Sequence, residues 1–329
     1  DLPVFEATAY PCVLVGEKTK QLNHKVHSTA VASIEDLERL HQIVASDSVA
    51  FGQERLDENV WQITDAETHR LVEKMRSSGR PLSEEHELFM GLKTGRNGAF
   101  VLSADVRQLL IDQDVSSEEI IKPWLRGRQI KSWRIGEGNE YVIFTYHGID
   151  ISKYPAIENY LEQYRDSLEA RATAGTHAWY ELQQPQMGVY RHFNGDKIVY
   201  PDIADGPAFT IDTDGYYPDM TAFIIPESDF YLLGILNSRA VEFFLRQTSS
   251  TIRGGFIRLK TIYVGQVPVP TVSGTLQEQI EDAAHEGWQE PQKGRRRISE
   301  ARLNALVYTA YGLNEQQIHT IDQYLDGER

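Results

Sequence analysis

The chain is predicted to be α+β, a mixed short-stranded domain around a buried apolar helix with helical extensions at both ends, and three observations carry that expectation. Asp229 to Gln247 reads as one strongly apolar helix, with Leu232, Leu233, Leu236, Val241, Phe244 and Leu245 covering nearly its whole circumference. Short β-rich segments, Tyr141 to Tyr146, Ile198 to Tyr200, Phe209 to Ile211 and Thr221 to Ile225, are separated by Pro, Asp and Gly turn clusters. Helical periodicity marks both flanks of that region.

The 329 residues are enough for one large domain with appendages or for two domains. Cys12 is the sole cysteine, so no internal disulfide can form and a reducing cytoplasm is expected. No apolar run approaches the ~20 residues of a membrane span, and no secretory signal opens the chain. The formal net charge is -15. Residues 1–90 carry 9 basic and 16 acidic side chains, residues 91–270 carry 18 and 22, and residues 271–329 carry 6 and 10. A polyanion site must therefore be a local patch, which screening over roughly 8 Å permits.

In chain order, Asp1 to Lys18 reads as two extended segments meeting near Tyr10 and Pro11, either a hairpin on its own domain or the tail of a sheet that begins upstream. Helices are expected at Ile34 to Ala45 and Asp65 to Ser78, with a strand at Asn59 to Thr64 between them. Leu82 to Gly91 reads as a further helical turn or two. Residues 1–90 thus form a connecting module, 91–270 the main domain and 271–329 a helical tail.

Leu92 to Ser103 places Lys93, Arg96 and Asn97 around Gly95 and Gly98, a basic turn that lacks the order of a P-loop. Helices follow at Asp105 to Ile111 and at Ser116 to Lys122, the second opening on a Ser116 and Glu119 capping box. Next, Lys122, Arg126, Arg128, Lys131 and Arg134 alternate with Trp124 and Trp133, and no acid appears before Glu137. If extended, this stretch puts Arg126, Arg128, Ser132 and Arg134 on one face and Gln129 and Lys131 on the other. A row of guanidiniums suits phosphates and guanine edges; the bland alternative is a solvated basic edge. Tyr154 to Ala170 reads as an amphipathic helix entered through Pro155. Six aspartates between Asp196 and Asp219 depart from calcium-loop spacing and read as turn formers, so no metal is expected. Arg253, Arg258 and Lys260 form a second basic cluster around a Gly-Gly turn. The tail holds the basic run Lys293 to Arg297 and helices at Ile298 to Tyr311 and Gln316 to Leu325, the latter with an Asn314 to Gln317 capping box.

From Leu92 to Pro270, the ordered blocks LKTGRNGAFVL, EIIKPWLRGRQIKSW, YVIFTYHGIDI, YPAIENYL, WYELQ, KIVYPDI, LLGILNS, RGGFIRL and QVPVP resemble the TaqI-type C-terminal specificity domain. That domain follows the catalytic domain of adenine-N6 DNA methyltransferases and of fused type IIG restriction-modification enzymes. FEATAYPCVLVGEK is similar to the last hairpin of their methyltransferase sheet, and LVYTAYGLNEQQIHTI to their helical tail. The resemblance implies a target recognition domain that holds double-stranded DNA while an upstream methyltransferase domain flips and methylates an adenine. S-adenosylmethionine is then expected in that upstream domain. The chain itself is expected to be catalytically silent, because it has no Pro-Pro pair and its one Gly-x-Gly, Gly136 and Gly138, follows the basic stretch. The DNA contacts are expected from Lys93, Arg96, Arg126, Arg128, Gln129, Lys131, Arg134, Arg253, Arg258 and Lys260, with arginines at guanine, Gln129 at adenine and lysines at phosphates. Two rivals from other classes are a protein-interaction module of a phage-defence system, and a hydrolase using the aspartates with His147, His177 and His192.

Overall fold

A computed structural model describes residues 13–17, 24–29, 31, 34–53, 56, 64–173, 175–252, 254–290 and 293–327. The strand pair expected over Asp1 to Lys18 falls almost wholly outside the described residues, as does the strand expected at Asn59 to Thr64. So does Arg253.

At the centre lies an antiparallel sheet in the order Thr210–Asp212, Lys197–Pro201, Ala222–Ile225, Phe89–Met90. Its two inner strands are buried along their whole length, which is why they read as unbroken apolar runs. Successive side chains point to opposite faces. Ile198, Tyr200, Phe223 and Ile225 enter a helical core, whereas Val199, Ala222 and Ile224 enter a second core. One thin sheet is thus the party wall of two hydrophobic interiors.

The helical core gathers Ala66–Ser77, Phe230–Leu236, Arg239–Thr248, Gly274–Gln289, Lys293–Ala310 and Glu315–Gly327. Asp65 caps the first of these, accepting from the backbone N–H groups of Glu67 and Thr68. Asn314 and Gln317 bond each other reciprocally at the start of the last, as their spacing predicts. The single helix expected over Asp229 to Gln247 is two. Asn237 turns its amide to the backbone of Phe209, giving 3.0 Å to the carbonyl and 3.2 Å from the N–H, and Ser238 restarts the chain by accepting from Val241 N. Both halves stay buried, so the apolar pattern survived a break that local polar bonding imposed. Gly274–Gln289 was not expected from the sequence. Its buried stripe is Ile280, Ala283, Ala284 and Gly287, with one large apolar residue among three small ones and so little periodic signal. They allow close approach: a Cβ on Gly234 would lie 3.1 to 3.2 Å from Ile280, Leu303 and Ala284.

The second core lies under another four-stranded sheet, ordered Tyr217–Pro218, Ile121–Leu125, Glu140–Ile143, Val101–Ser103, with only the first pair parallel. Here several expectations are corrected. Tyr154 to Ala170 is broken into Pro155–Glu162 and Arg165–Glu169 by a tight turn at Gln163 and Tyr164. The Ser116 capping box does not form, because the Ser116 hydroxyl bonds Asp114 and the Lys153 carbonyl, and the helix is one turn, Ser117–Ile120, before strand begins at Ile121. Leu82 to Gly91 is a single turn, Leu82–Glu85, followed by the strand Phe89–Met90.

Directly opposite each other in the central sheet, Lys197 and Asp212 form an ion pair with both side chains fully buried. Lys197 also donates to the Phe193 carbonyl at 2.6 Å, and Asp212 accepts from the backbone of Asp214 and Tyr216. Burial pushes the lysine below its ordinary range, and the Asp212 charge opposes that push. Among the described residues no helix is long and apolar enough to cross a membrane.

Candidate nucleic-acid interface

The basic stretch is not the extended strand its alternation invites. After Leu125 the chain makes a 3₁₀ turn at Gly127–Gln129, then a minimal ribbon of Ile130–Lys131 against Arg134–Ile135. Ser132 and Trp133 form its tip, with Trp133 at φ +68°, a left-handed conformation that a bulky residue adopts at a cost. The cost is offset by burial. Trp133 is 2% exposed, donates its backbone N–H to Phe209 O and lays its indole over Gly287 of the unexpected helix, while Ser132 bonds Asn237. The ribbon tip is therefore pinned into the helical core, and the one-face pattern of even-numbered residues does not arise.

Four of the expected contact residues are sorted by their partners. Arg126 makes a two-pronged pair with Glu140, at 2.6 and 2.7 Å, half-buried. That hydrogen bonding holds the Glu140 carboxyl below the usual range and raises the arginine. Gln129, expected at an adenine edge, spends its amide on its own turn, accepting from Arg126 N at 2.7 Å and donating to Glu137 O. Arg258 pairs with Asp202 at 3.1 Å. Arg128, in contrast, is exposed at the outside of the turn.

Lys131 and Arg134 are exposed cross-strand partners, two like charges facing each other. Among the described residues no acidic side chain lies within salt-bridge distance of Arg128, Lys131 or Arg134. Like charges directly opposite destabilise a strand pair. The pair sits on a ribbon whose tip is buried, in a chain that is acidic overall.

The remaining cations are tied to this patch through the backbone. Gly127 N donates to Thr221 Oγ1 at 3.0 Å, and a Cβ on Gly127 would stand 2.2 Å from Thr221 O, so only glycine allows the turn to sit there. Thr221 O accepts from Asp202, whose carboxylate holds Arg258 and whose carbonyl accepts from Leu259, one residue before the exposed Lys260. On the other side, Leu92 bridges Asp219 in parallel, and Asp219 N donates to Leu125 O. Three segments thus run the same way and end together, placing Lys93 and Arg126 about 10 Å apart, two strand spacings. Arg96 lies farther out, exposed at the start of the short helix Asn97–Phe100.

The glycines that might have cradled a cofactor do not fit one. Gly136 N is bound to Gln129 O, and a Cβ on Gly138 would lie 1.8 Å from the Gln129 amide nitrogen, so the chain itself fills that space.

The TaqI-like C-terminal specificity domain family model matches residues 122–269, from the start of the basic stretch to the proline strand Pro268–Pro270. The type II methyltransferase M.BanIII of Aneurinibacillus aneurinilyticus is 25% identical over 270 residues, covering 76% of this chain and 46% of the relative. M.XhoI of Xanthomonas vasicola is 24% identical over 271 residues, covering 78% and 46%. The chain spans about half the length of the curated relatives it matches. Among solved structures, the type IIL restriction-modification enzyme MmeI, determined in complex with DNA, matches with a TM-score of 0.56 at 13% identity, covering 87% of this chain and 40% of that one. At that identity the likeness is one of fold, the same mixed α+β arrangement.

Proposed function

We propose that this chain, whose residues 122–269 are a TaqI-like C-terminal specificity domain, is the DNA-recognition portion of a restriction-modification methyltransferase. It would hold duplex DNA and read its sequence while a methyltransferase half of the same polypeptide acts on an adenine. The observation that carries this reading is the pinned ribbon with Arg128, Lys131 and Arg134 exposed and, among the described residues, in no salt bridge.

In this reading Arg128 and Arg134 approach guanine O6 and N7, where a bidentate contact is worth about 1–3 kcal/mol of discrimination. Lys131, Lys93, Lys260 and Arg96 neutralise phosphates. Arg126, Gln129 and Arg258 have a different part: they brace the turn and the neighbouring hairpin through Glu140, Glu137 and Asp202. S-adenosylmethionine belongs to the methyltransferase half in this scheme, consistent with the lack of a Pro-Pro pair in this chain and with the filled space at Gly138.

A labelled duplex titrated with the chain over a salt series tests the proposal. Binding that weakens steeply with salt is expected from phosphate contacts. Failure to bind any duplex at low salt, by this chain and by a longer polypeptide that adds a methyltransferase half, would reject it.

A further inference from the structure

The site outside the basic ribbon with the most organised chemistry is the cluster His147, His177 and Glu181, whose candidate ligand atoms all lie within 4.8 Å of one another. We propose that these three side chains form a binding site for zinc or a similar first-row divalent metal, with a fourth position left to water.

The hydrogen bonds prepare both imidazoles for that task. His147 Nε2 faces the Leu182 carbonyl at 2.8 Å, so it carries the proton and leaves Nδ1 as a lone-pair donor. His177 Nδ1 faces the Ala178 carbonyl at 3.0 Å, which in the same way frees Nε2. A metal-bound histidine almost always donates its other ring N–H to a carbonyl or carboxylate, which fixes ring orientation and tautomer. Here that outer shell is already built for both rings. The ring separation also fits. Two imidazoles on a tetrahedral zinc at about 2.0–2.1 Å have their centres about 5 Å apart, and these centres are 5.1 Å apart; the rings are stacked with their planes 13° from parallel, so metal entry must also turn them until their lone pairs converge.

Glu181 supplies the charge. It is 5% exposed, and its two oxygens accept from Gly148 N at 2.6 Å and Ala178 N at 2.9 Å. Among the described residues Glu181 makes no salt bridge; the nearby Arg171 attracts its charge but gives its hydrogen bonds to backbone carbonyls, including that of Glu181 at 2.9 Å. Each carboxylate oxygen accepts one backbone bond and retains a lone pair. A divalent cation would neutralise this buried charge and use that lone pair. The two histidines are only partly buried, so an entry path exists. Ligands on a tetrahedral zinc stand about 3.4 Å apart, so closure moves these atoms by on the order of 1 Å. Thr173 Oγ1, which lies 3.1 Å from His177 Nε2, is the group that must turn away.

The position gives such a site a purpose. It would staple the turn after the strand Glu140–Ile143 to the segment that continues through Gln184 into the ladder with Lys93. The test is metal content and titration of the 329-residue chain. After stripping and reloading, the parent is expected to hold one zinc per chain and, with cobalt(II), to show the intense visible bands of a four-coordinate site. His147→Gln and His177→Gln are each expected to weaken zinc by more than about 100-fold, beyond what outer-shell losses cost. Thr173→Val, which removes the competing hydroxyl, is expected to bind at least as tightly as the parent. Metal uptake that survives both histidine substitutions overturns the proposal. If those variants fail to fold by circular dichroism, the parent's cobalt spectrum decides, and an octahedral, aqueous-like spectrum overturns it equally.

Discussion

Replacing both Lys131 and Arg134 by alanine separates a cation kept for a partner from one kept for the fold. In the fold these residues face each other across a two-residue pairing and, among the described residues, no acid lies within salt-bridge distance, so their removal relieves a repulsion of about a few tenths of a kcal/mol at the surface. Stability in a urea titration is therefore expected to stay level or rise slightly. Duplex binding should respond in the opposite sense. Each phosphate contact adds about 0.9 to the slope of log K against log salt; Lys131 is the phosphate contact of the two, so the double variant should be shallower by about 0.9, and the loss of Arg134 at guanine should lower affinity at every salt concentration. Between 50 and 200 mM salt, a fourfold change, that slope difference amounts to an affinity loss roughly 3.5-fold smaller than the parent's. The assay is fluorescence anisotropy of a short labelled duplex at four or five salt concentrations. An unchanged slope, or a clear loss of stability, would refute the assignment of these two side chains to DNA.

Arg126→Ala should show the reverse pattern, costing about 1 kcal/mol or more by leaving Glu140 half-buried without its partner, with little change in salt slope. Because Arg126 holds the folded Glu140 carboxyl below its unfolded value, the pair's contribution is complete above the ordinary glutamate pKa near 4.3 and is lost as pH falls through the depressed value. Glu140→Gln should flatten that limb of the stability–pH curve, and an unaltered limb would assign the acid sensitivity elsewhere. Lys197→Met strands the Asp212 carboxylate in the central sheet and should cost about 3–5 kcal/mol in a denaturant melt, whereas a cost under about 1 kcal/mol would mean the pair is solvated. Trp133→Ala should lose about 3–5 kcal/mol and also weaken duplex binding, since the ribbon loses its anchor; intact stability would contradict the burial of the indole.

Much of the fold was legible because burial leaves a compositional trace. The inner strands Lys197–Pro201 and Ala222–Ile225 are apolar on both faces and could be read directly. The core helix could be read too, but its break at Asn237 could not, since it depends on Phe209, distant in sequence. Gly274–Gln289 is not legible because, apart from Ile280, its buried stripe is alanine and glycine, which carry little hydrophobic signal. In the site, residue type located the cations but not their duties. Arg126 and Arg128 look alike in sequence, and only the two-pronged pair with Glu140, fourteen residues on, separates a brace from an exposed guanidinium that feels the same carboxylate without bonding it. The parity argument failed at Trp133, whose left-handed backbone no pattern of alternation can foresee. His147 and His177 were noticed only as scattered histidines, thirty residues apart, and the turn that unites them with Glu181 is set by backbone pairing between Thr145 and Leu182.

The two-sided sheet sets where this molecule can tolerate change in length. Neighbouring residues of Lys197–Pro201 are committed alternately to different interiors, so a one-residue insertion there would hand each interior the side chains of the other. The Gly127–Ile135 ribbon hangs from the same sheet by a few backbone bonds and one indole. Substitutions and changes of length in the ribbon can therefore be made while the partition behind it keeps its count.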